Sequence, residues 1–204
     1  MKSTGTIVQY TGINHLALVT HDMTATIRFW RDLLGLRLIA GLGRVGYRQY
    51  FFEISKTDML AFFEWPQVLP IDLKDHGVPV KGPLAFDHLS LAVASDEDLW
   101  ELKARLEAAD IWVSEVIDHG FIHSLYSFDP NNIPLEFSSA VKRIDLRRHP
   151  QMKDRTPLNA ALEGDNPQAG HWPTPGVVAP EERILYPGEG IVFATAKAED
   201  NEAN

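Results

Sequence analysis

Two histidines and two glutamates recur at matched distances along the chain and have the chemistry of metal ligands. The number of residues from His15 to Glu64 equals, to within one, the number from His88 to Glu136. Imidazole and carboxylate groups suit divalent first-row metals, and two histidines with one carboxylate are the usual set in non-haem Fe(II) oxygenases. The spacing predicts that His15, His88 and Glu136 bind one divalent metal. For Glu64, two alternatives stay open. Its carboxylate either binds the metal or lies at the end of a strand, where it reaches solvent or an arginine.

The elements around these residues are also repeated. Apolar alternation over 13–19 and 86–93 predicts two similar strands, each with its histidine near the start. A helix is predicted to begin at Asp22, and a second helix at the capping-box pattern that opens with Ser95. Gly35 is expected to end the first helix. More strands follow each helix, so the chain contains two related units, as internal repeats indicate.

A tight turn leads into the strand of Glu136. Its residues are Asp129, Pro130, Asn131 and Asn132, and proline presets φ while asparagine tolerates positive φ. On these residues and the repeat, the chain resembles the vicinal oxygen chelate superfamily, which includes glyoxalase I, type I extradiol dioxygenases and bleomycin- and fosfomycin-resistance proteins. The resemblance covers about residues 7–139. It implies an α+β fold in which two paired βαβββ modules form a curved mixed sheet around a metal site.

The predicted domain occupies residues 1–139. Its first module covers about 7–65, its second about 86–139, and a proline-containing linker joins them over 66–85. The remaining residues, 140–204, contain seven of the 13 prolines and are predicted to form an extended tail. Its end, from residue 196, is expected to be disordered because it is short of apolar residues.

One stretch resembles the extradiol ring-cleavage signature in particular. The matching residues are His119, Leu125, Tyr126, Asp129, Pro130 and Glu136. The family usually has glycine where this chain has Asn132. The resemblance implies that His119 is an acid/base and that Tyr126 bonds the substrate. Both side chains suit these roles, because imidazole titrates near neutrality and a phenol donates to a developing oxyanion.

The leading prediction is therefore Fe(II)-dependent extradiol cleavage of a catechol-like small molecule. One alternative is a glyoxalase-like isomerase or lyase that uses Ni, Zn, Co or Mn; the other is a protein that sequesters a hydrophobic drug. Glu64 separates the two enzymes, because an octahedral metal with four protein ligands keeps only two open positions. Three open positions accept a chelated diol and dioxygen. Pocket lining or plain core packing is expected of Phe52, Phe62 and Phe128.

The amino-acid composition argues against two classes of binding partner. A net charge of −9 with 23% charged residues argues against nucleic-acid and anionic-membrane surfaces, which need clustered Lys and Arg. No apolar run reaches the ~20 residues that span a bilayer, and the absence of cysteine fits a cytoplasmic protein. Exposed strand edges in such modules need cover, so a homodimer is expected.

Overall fold

A computed structural model describes residues 9–82, 86–168, 170, 173 and 176–194. The chain divides into two compact units, Met1–Ile144 and Asp145–Asn204. The elements of the first unit are, in chain order, β1 (His15–Thr20), α1 (Met23–Ile27, continued as a π-helix over Arg28–Leu33), β2 (Arg37–Arg44), β3 (Tyr47–Glu53), β4 (Met59–Glu64), β5 (Leu89–Val93), α2 (Asp96–Ala108), β6 (Ile117–Asp118), β7 (Ile122–Phe128) and β8 (Pro134–Ala140).

These strands form two mixed sheets of four strands each. Their orders are β1-β4-β3-β2 and β5-β8-β7-β6. In each sheet the first pair, β1 with β4 or β5 with β8, is parallel and the other pairs are antiparallel. The two sheets therefore share one topology, and the predicted pair of βαβββ modules is confirmed.

The residues predicted to begin and end the helices do so in the structure. Asp22 caps α1 by accepting a hydrogen bond from the Ala25 amide at 2.9 Å, and Gly35 follows the helix with φ +83°. Ser95 and Asp98 form the capping box of α2. Asn132 has φ 62°, as its place in the turn predicts.

The strand that precedes β7 is short. It is reduced to β6 and one isolated bridge between Val113 and Ser127. The cause is Ser114, whose hydroxyl oxygen accepts the hydrogen bond of the Tyr126 amide at 2.9 Å. A side chain thus takes a place that a backbone carbonyl fills in a regular ladder.

Strand alternation gives each sheet a helix face, which packs against the helices, and an open face. On β4, Leu60 and Phe62 lie on the helix face and are fully buried, with Phe62 against Trp30 at a ring-centroid distance of 5.7 Å. Phe52 belongs to the same core cluster. Phe52 and Phe62 are therefore core residues. The open face of the first sheet carries His15.

The second unit contains little regular structure in its described part. It has a four-residue helix, Asn159–Leu162, and 3-10 turns at Pro180–Glu182 and Glu189–Ile191. The extended tail over 140–204 stays a prediction, and residues 196–204, predicted to be disordered, lie outside the described ranges. None of the described helices has the length and apolar content needed to cross a membrane.

Candidate active site

His88 and Glu136 meet on the open face of the second sheet. His88 directly precedes β5, and Ser90 of β5 lies opposite Glu136 of β8. Because side chains alternate along a strand, all three lie on one face. His88 Nε2 is 3.1 Å from Glu136 Oε2. The sequence repeat therefore places one imidazole and one carboxylate in direct contact.

Glu136 is a buried carboxylate with an ordered set of donors. It is 5% exposed, and its Oε1 accepts hydrogen bonds from Ser124 Oγ at 2.5 Å and Tyr126 Oη at 3.2 Å. Burial works to raise its pKa, but bonds from Ser124 and Ser90 and the nearby His88 outweigh burial and hold the pKa below its usual range. The site therefore keeps a negative charge that suits a cation.

The other nitrogen of His88 is fixed by a second carboxylate. Asp87 Oδ1 lies 2.7 Å from His88 Nδ1, and Lys74 donates to Asp87 Oδ2 at 2.6 Å. Bonds from Lys74, His88 and the Gly77 amide lower the pKa of Asp87. A carboxylate on Nδ1 orients the ring and leaves Nε2 as the metal-facing atom, which is the usual support of a ligating histidine. The donors present thus fit a divalent metal bound by His88 and Glu136.

The two residues of the predicted acid/base chemistry are adjacent to this pair. His119 Nε2 lies 2.9 Å from Tyr126 Oη, so a continuous chain runs from His119 through Tyr126 to Glu136. Burial and the charge of Glu136 raise the pKa of Tyr126. His123 is an odd number of residues from Tyr126 on the same strand, so it points to the other face, where its Nδ1 lies 2.9 Å from Asp96 Oδ1.

No sequence pattern indicated that His76 lies at the site, because His76 is in the linker. Its ring packs on Tyr126, Phe128 and His88 at centroid distances of 4.7, 5.1 and 6.0 Å. Its Nε2 is buried and has no hydrogen-bond partner within the described part of the chain. Burial lowers its pKa. The only local signal is Gly77, whose φ of +69° marks a turn but not its target.

His15 lies apart from this group. It begins β1 on the open face of the first sheet, is exposed, and contacts Phe51 edge-on at 5.7 Å. Its Nδ1 is 2.8 Å from Asn14 Oδ1. Across residues 9–82, 86–168 and the shorter described segments, no three His, Asp or Glu side chains converge as a metal site. Ligation by His15 therefore stays a prediction, and within one chain only His88 and Glu136 of the predicted ligands meet.

Glu64 lies on the helix face, opposite to that of His15. In the register it faces Thr20 of β1, whereas the first-sheet counterpart of Glu136 is Ala61. Its Oε1 accepts a hydrogen bond from the Met23 amide at 3.0 Å, at the start of α1. Its Oε2 pairs with Arg48. Both oxygens are thus engaged, one at the start of α1 and the other by Arg48 of β3.

Comparison with known proteins agrees with this fold. Residues 12–137 match the Glyoxalase/Bleomycin resistance protein/Dioxygenase superfamily. No curated protein matches the chain. A glyoxylase/bleomycin resistance protein/dioxygenase domain from Frankia sp. EAN1pec is 22% identical, with 65% of this chain and 100% of that chain covered and a TM-score of 0.55.

Two further solved structures are similar at lower TM-scores. Lactoylglutathione lyase from Agrobacterium tumefaciens is 26% identical, covering 64% of this chain and 94% of that chain, with a TM-score of 0.47. A mutant of the fosfomycin resistance protein FosX from Listeria monocytogenes, complexed with Mn(II), is 16% identical over 67% and 100% of the chains, at 0.49. Since the family match spans more than half of the sequence, the chain belongs to the glyoxalase/bleomycin resistance protein/dioxygenase superfamily.

Proposed function

We propose that the protein is an Fe(II)-dependent dioxygenase that opens the ring of a catechol-like diol, with His15, His88 and Glu136 as the metal ligands. The observation that carries this proposal is the position of Glu64. Glu64 and His15 lie on opposite faces of one sheet, which supports a metal that binds His15 and not Glu64. Three protein ligands leave three positions of an octahedral ion open, enough for a chelated diol and dioxygen. A fourth protein ligand, which leaves two open positions, would suit the isomerase alternative.

The third ligand is proposed to come from a second copy of the chain. Strands β1 and β5 each pair on one side only among the described residues, and His15 and His88 stand at matching positions of these edge strands. Neighbouring strands lie about 4.8 Å apart. A twofold pairing of β1 from one copy beside β5 of the other places His15 next to His88 and Glu136, twice per dimer. This pairing also covers the exposed edges of β1 and β5.

When bound, the metal would hold both diol oxygens as a Lewis acid and, as Fe(II), would pass electrons from the diol to dioxygen. The chain's own residues position the diol and handle its protons. Tyr126 directs its hydroxyl toward the ligand Glu136, and His119 holds or accepts a proton at Tyr126 Oη, 2.9 Å away. The buried, unpartnered Nε2 of His76 offers one more polar contact, since leaving such an atom unbonded costs about 1–3 kcal/mol.

The wall beside these groups suits a planar ring. Trp112 and Phe128 lie 5.4 Å apart between ring centroids, and the His76 ring is nearly parallel to Trp112, at 6.5 Å and 16°. Aromatic rings pack favourably on such surfaces in offset or edge-on geometry. Of the three phenylalanines considered for pocket lining, Phe128 is thus the one near the proposed diol site.

The proposal is tested by loading the protein anaerobically with Fe(II) and adding catechols of increasing size, then oxygen. We expect oxygen uptake to match the yellow ring-opened product in amount. A matched control with Glu136→Ala protein should give neither signal. Proton exchange or isomerisation of a 2-oxoaldehyde thiohemiacetal by Ni- or Zn-loaded protein, with no oxygen uptake for any diol, would instead establish the isomerase.

Glu64 yields a prediction of its own. We expect Glu64→Ala to lower stability by about 1–2 kcal/mol, because the first turn of α1 loses an acceptor for the Met23 amide and Arg48 loses its partner. Metal content should stay at the wild-type ratio, whereas Glu136→Ala loses it. Urea unfolding gives the first quantity and elemental analysis the second. Loss of metal from correctly folded Glu64→Ala would contradict the three-ligand site.

A further inference from the structure

We infer that Asn132 is a positioning residue: its side-chain amide ties the linker to the β7–β8 turn and so holds His76 over the site. This inference rests on the proposed function for its catalytic consequence, but not for its structural one. Asn132 has φ 62°, a backbone conformation that glycine adopts with least strain. Asn132 is less suited than glycine to this backbone conformation, but its side chain has a hydrogen-bond partner in the linker.

The partner is Ile71, which the turn binds through both of its backbone polar groups. Asn132 Nδ2 donates to the Ile71 carbonyl at 2.8 Å, and the Ile71 amide donates to the Asn131 carbonyl at 3.1 Å. Ile71 and Asn132 are 61 residues apart, so these two bonds join distant parts of the chain. Glycine at position 132 would keep the turn and remove the first bond.

The turn is a firm anchor because Asp129 organises it from inside. This carboxylate is 4% exposed. Its Oδ1 accepts hydrogen bonds from the amides of Asn131 at 2.8 Å and Ile133 at 3.0 Å, and its Oδ2 accepts one from Asn131 Nδ2 at 3.0 Å. Buried and multiply bonded, Asp129 fixes the backbone from which Asn132 reaches the linker.

Asp87 holds the linker on either side of His76. Lys74 donates to its Oδ2 at 2.6 Å and the Gly77 amide donates to its Oδ1 at 3.0 Å. The same carboxylate bonds His88. Residues 66–82 contain no helix or strand, so the linker depends on these external bonds for its shape. Asn132 fixes the linker at Ile71, Asp87 fixes it at Lys74 and Gly77, and His76 lies between these last two residues.

The test compares wild type with Asn132→Gly and Asn132→Asp. Glycine relieves the backbone, aspartate keeps the side-chain shape, and neither donates to the Ile71 carbonyl, so both should release the linker with little change in thermal midpoint. Limited trypsin digestion reports this release at Lys74, whose side chain is 10% exposed. The exposed Lys81 is the internal reference. We expect cleavage after Lys74, relative to Lys81, to rise at least about fivefold.

Two more readouts separate positioning from general loosening. Because His76 packs on Trp112, its release should change Trp112 emission, measured as the difference from the same variants carrying Trp112→Phe. In the diol assay we expect kcat to fall about tenfold for Asn132→Gly with KM nearly unchanged. That loss should disappear when His76→Ala is already present.

An unchanged Lys74-to-Lys81 ratio, or an equal loss of kcat with and without His76, would overturn the inference. Absence of turnover for every diol would instead overturn the proposed function. In that case the trypsin and emission measurements still decide whether Asn132 positions His76.

Discussion

Mixing two inactive variants, His15→Ala and Glu136→Ala, should restore diol cleavage. Each variant alone loses a ligand from every site and should retain little metal. In a dimer with one chain of each kind, one site has intact His15, His88 and Glu136, and the other lacks two ligands. Random pairing makes half of the dimers mixed, so about one quarter of wild-type activity and metal content is expected.

The control for this experiment pairs His88→Ala with Glu136→Ala. Both substitutions lie in the half-site that one chain supplies, so no combination of these chains contains an intact site. Co-expressed chains with two different affinity tags isolate the mixed dimers directly. No recovery with His15→Ala and Glu136→Ala would contradict a shared site, as would recovery in the control pair.

The sequence repeat determines only part of the proposed shared site. It predicts which residue types stand at matching strand positions, and the strand order of both sheets follows it. It does not determine how modules meet, because His15 and His88 occupy edge strands whose neighbours are set by packing between modules or between chains. The same local sequence pattern is compatible with a metal site within one chain and with a metal site between two chains.

The matched spacing of Glu64 and Glu136 along the chain does not give matched positions in the two sheets, for a physical reason. Counting residues from His15 to Glu64 adds the loops between strands, whose lengths differ between modules. The register pairs Glu64 with Thr20 but Glu136 with Ser90. Because alternate strand residues point to opposite faces, an odd offset moves a side chain from the open face to the helix face. Equal spacing along the chain therefore did not give equal position in the sheet.

His76 was missed for a different reason. A residue in a linker without helix or strand has no periodicity from which its direction follows. Its position depends on bonds between Ile71 and Asn132 and between Gly77 and Asp87, which join residues far apart in sequence. The helix caps at Asp22 and Ser95 and the turn at Asn132 were predictable, because the backbone hydrogen bonds that form them join residues close together in the sequence.

His119→Ala should leave metal binding intact and lower turnover by about 10²–10⁴-fold, as removal of a positioned acid/base typically does. His119 contacts Tyr126 Oη and neither predicted ligand of this module, so the metal-to-protein ratio should match wild type. His119 is also exposed, and its removal leaves a cavity open to solvent. Added imidazole is therefore expected to recover part of the lost kcat.

His123→Ala is the matched control, because this histidine lies on the same hairpin but bonds Asp96 on the other side of the sheet. It should change stability and leave kcat near the wild-type value. Tyr126→Phe removes the hydroxyl through which His119 acts, so adding His119→Ala to it should cost little more, which marks the two as one unit. Turnover of metal-loaded His119→Ala within about threefold of wild type would exclude His119 from the proton path. His76 would then become the candidate acid/base, because its ring packs against Tyr126, Phe128 and Trp112.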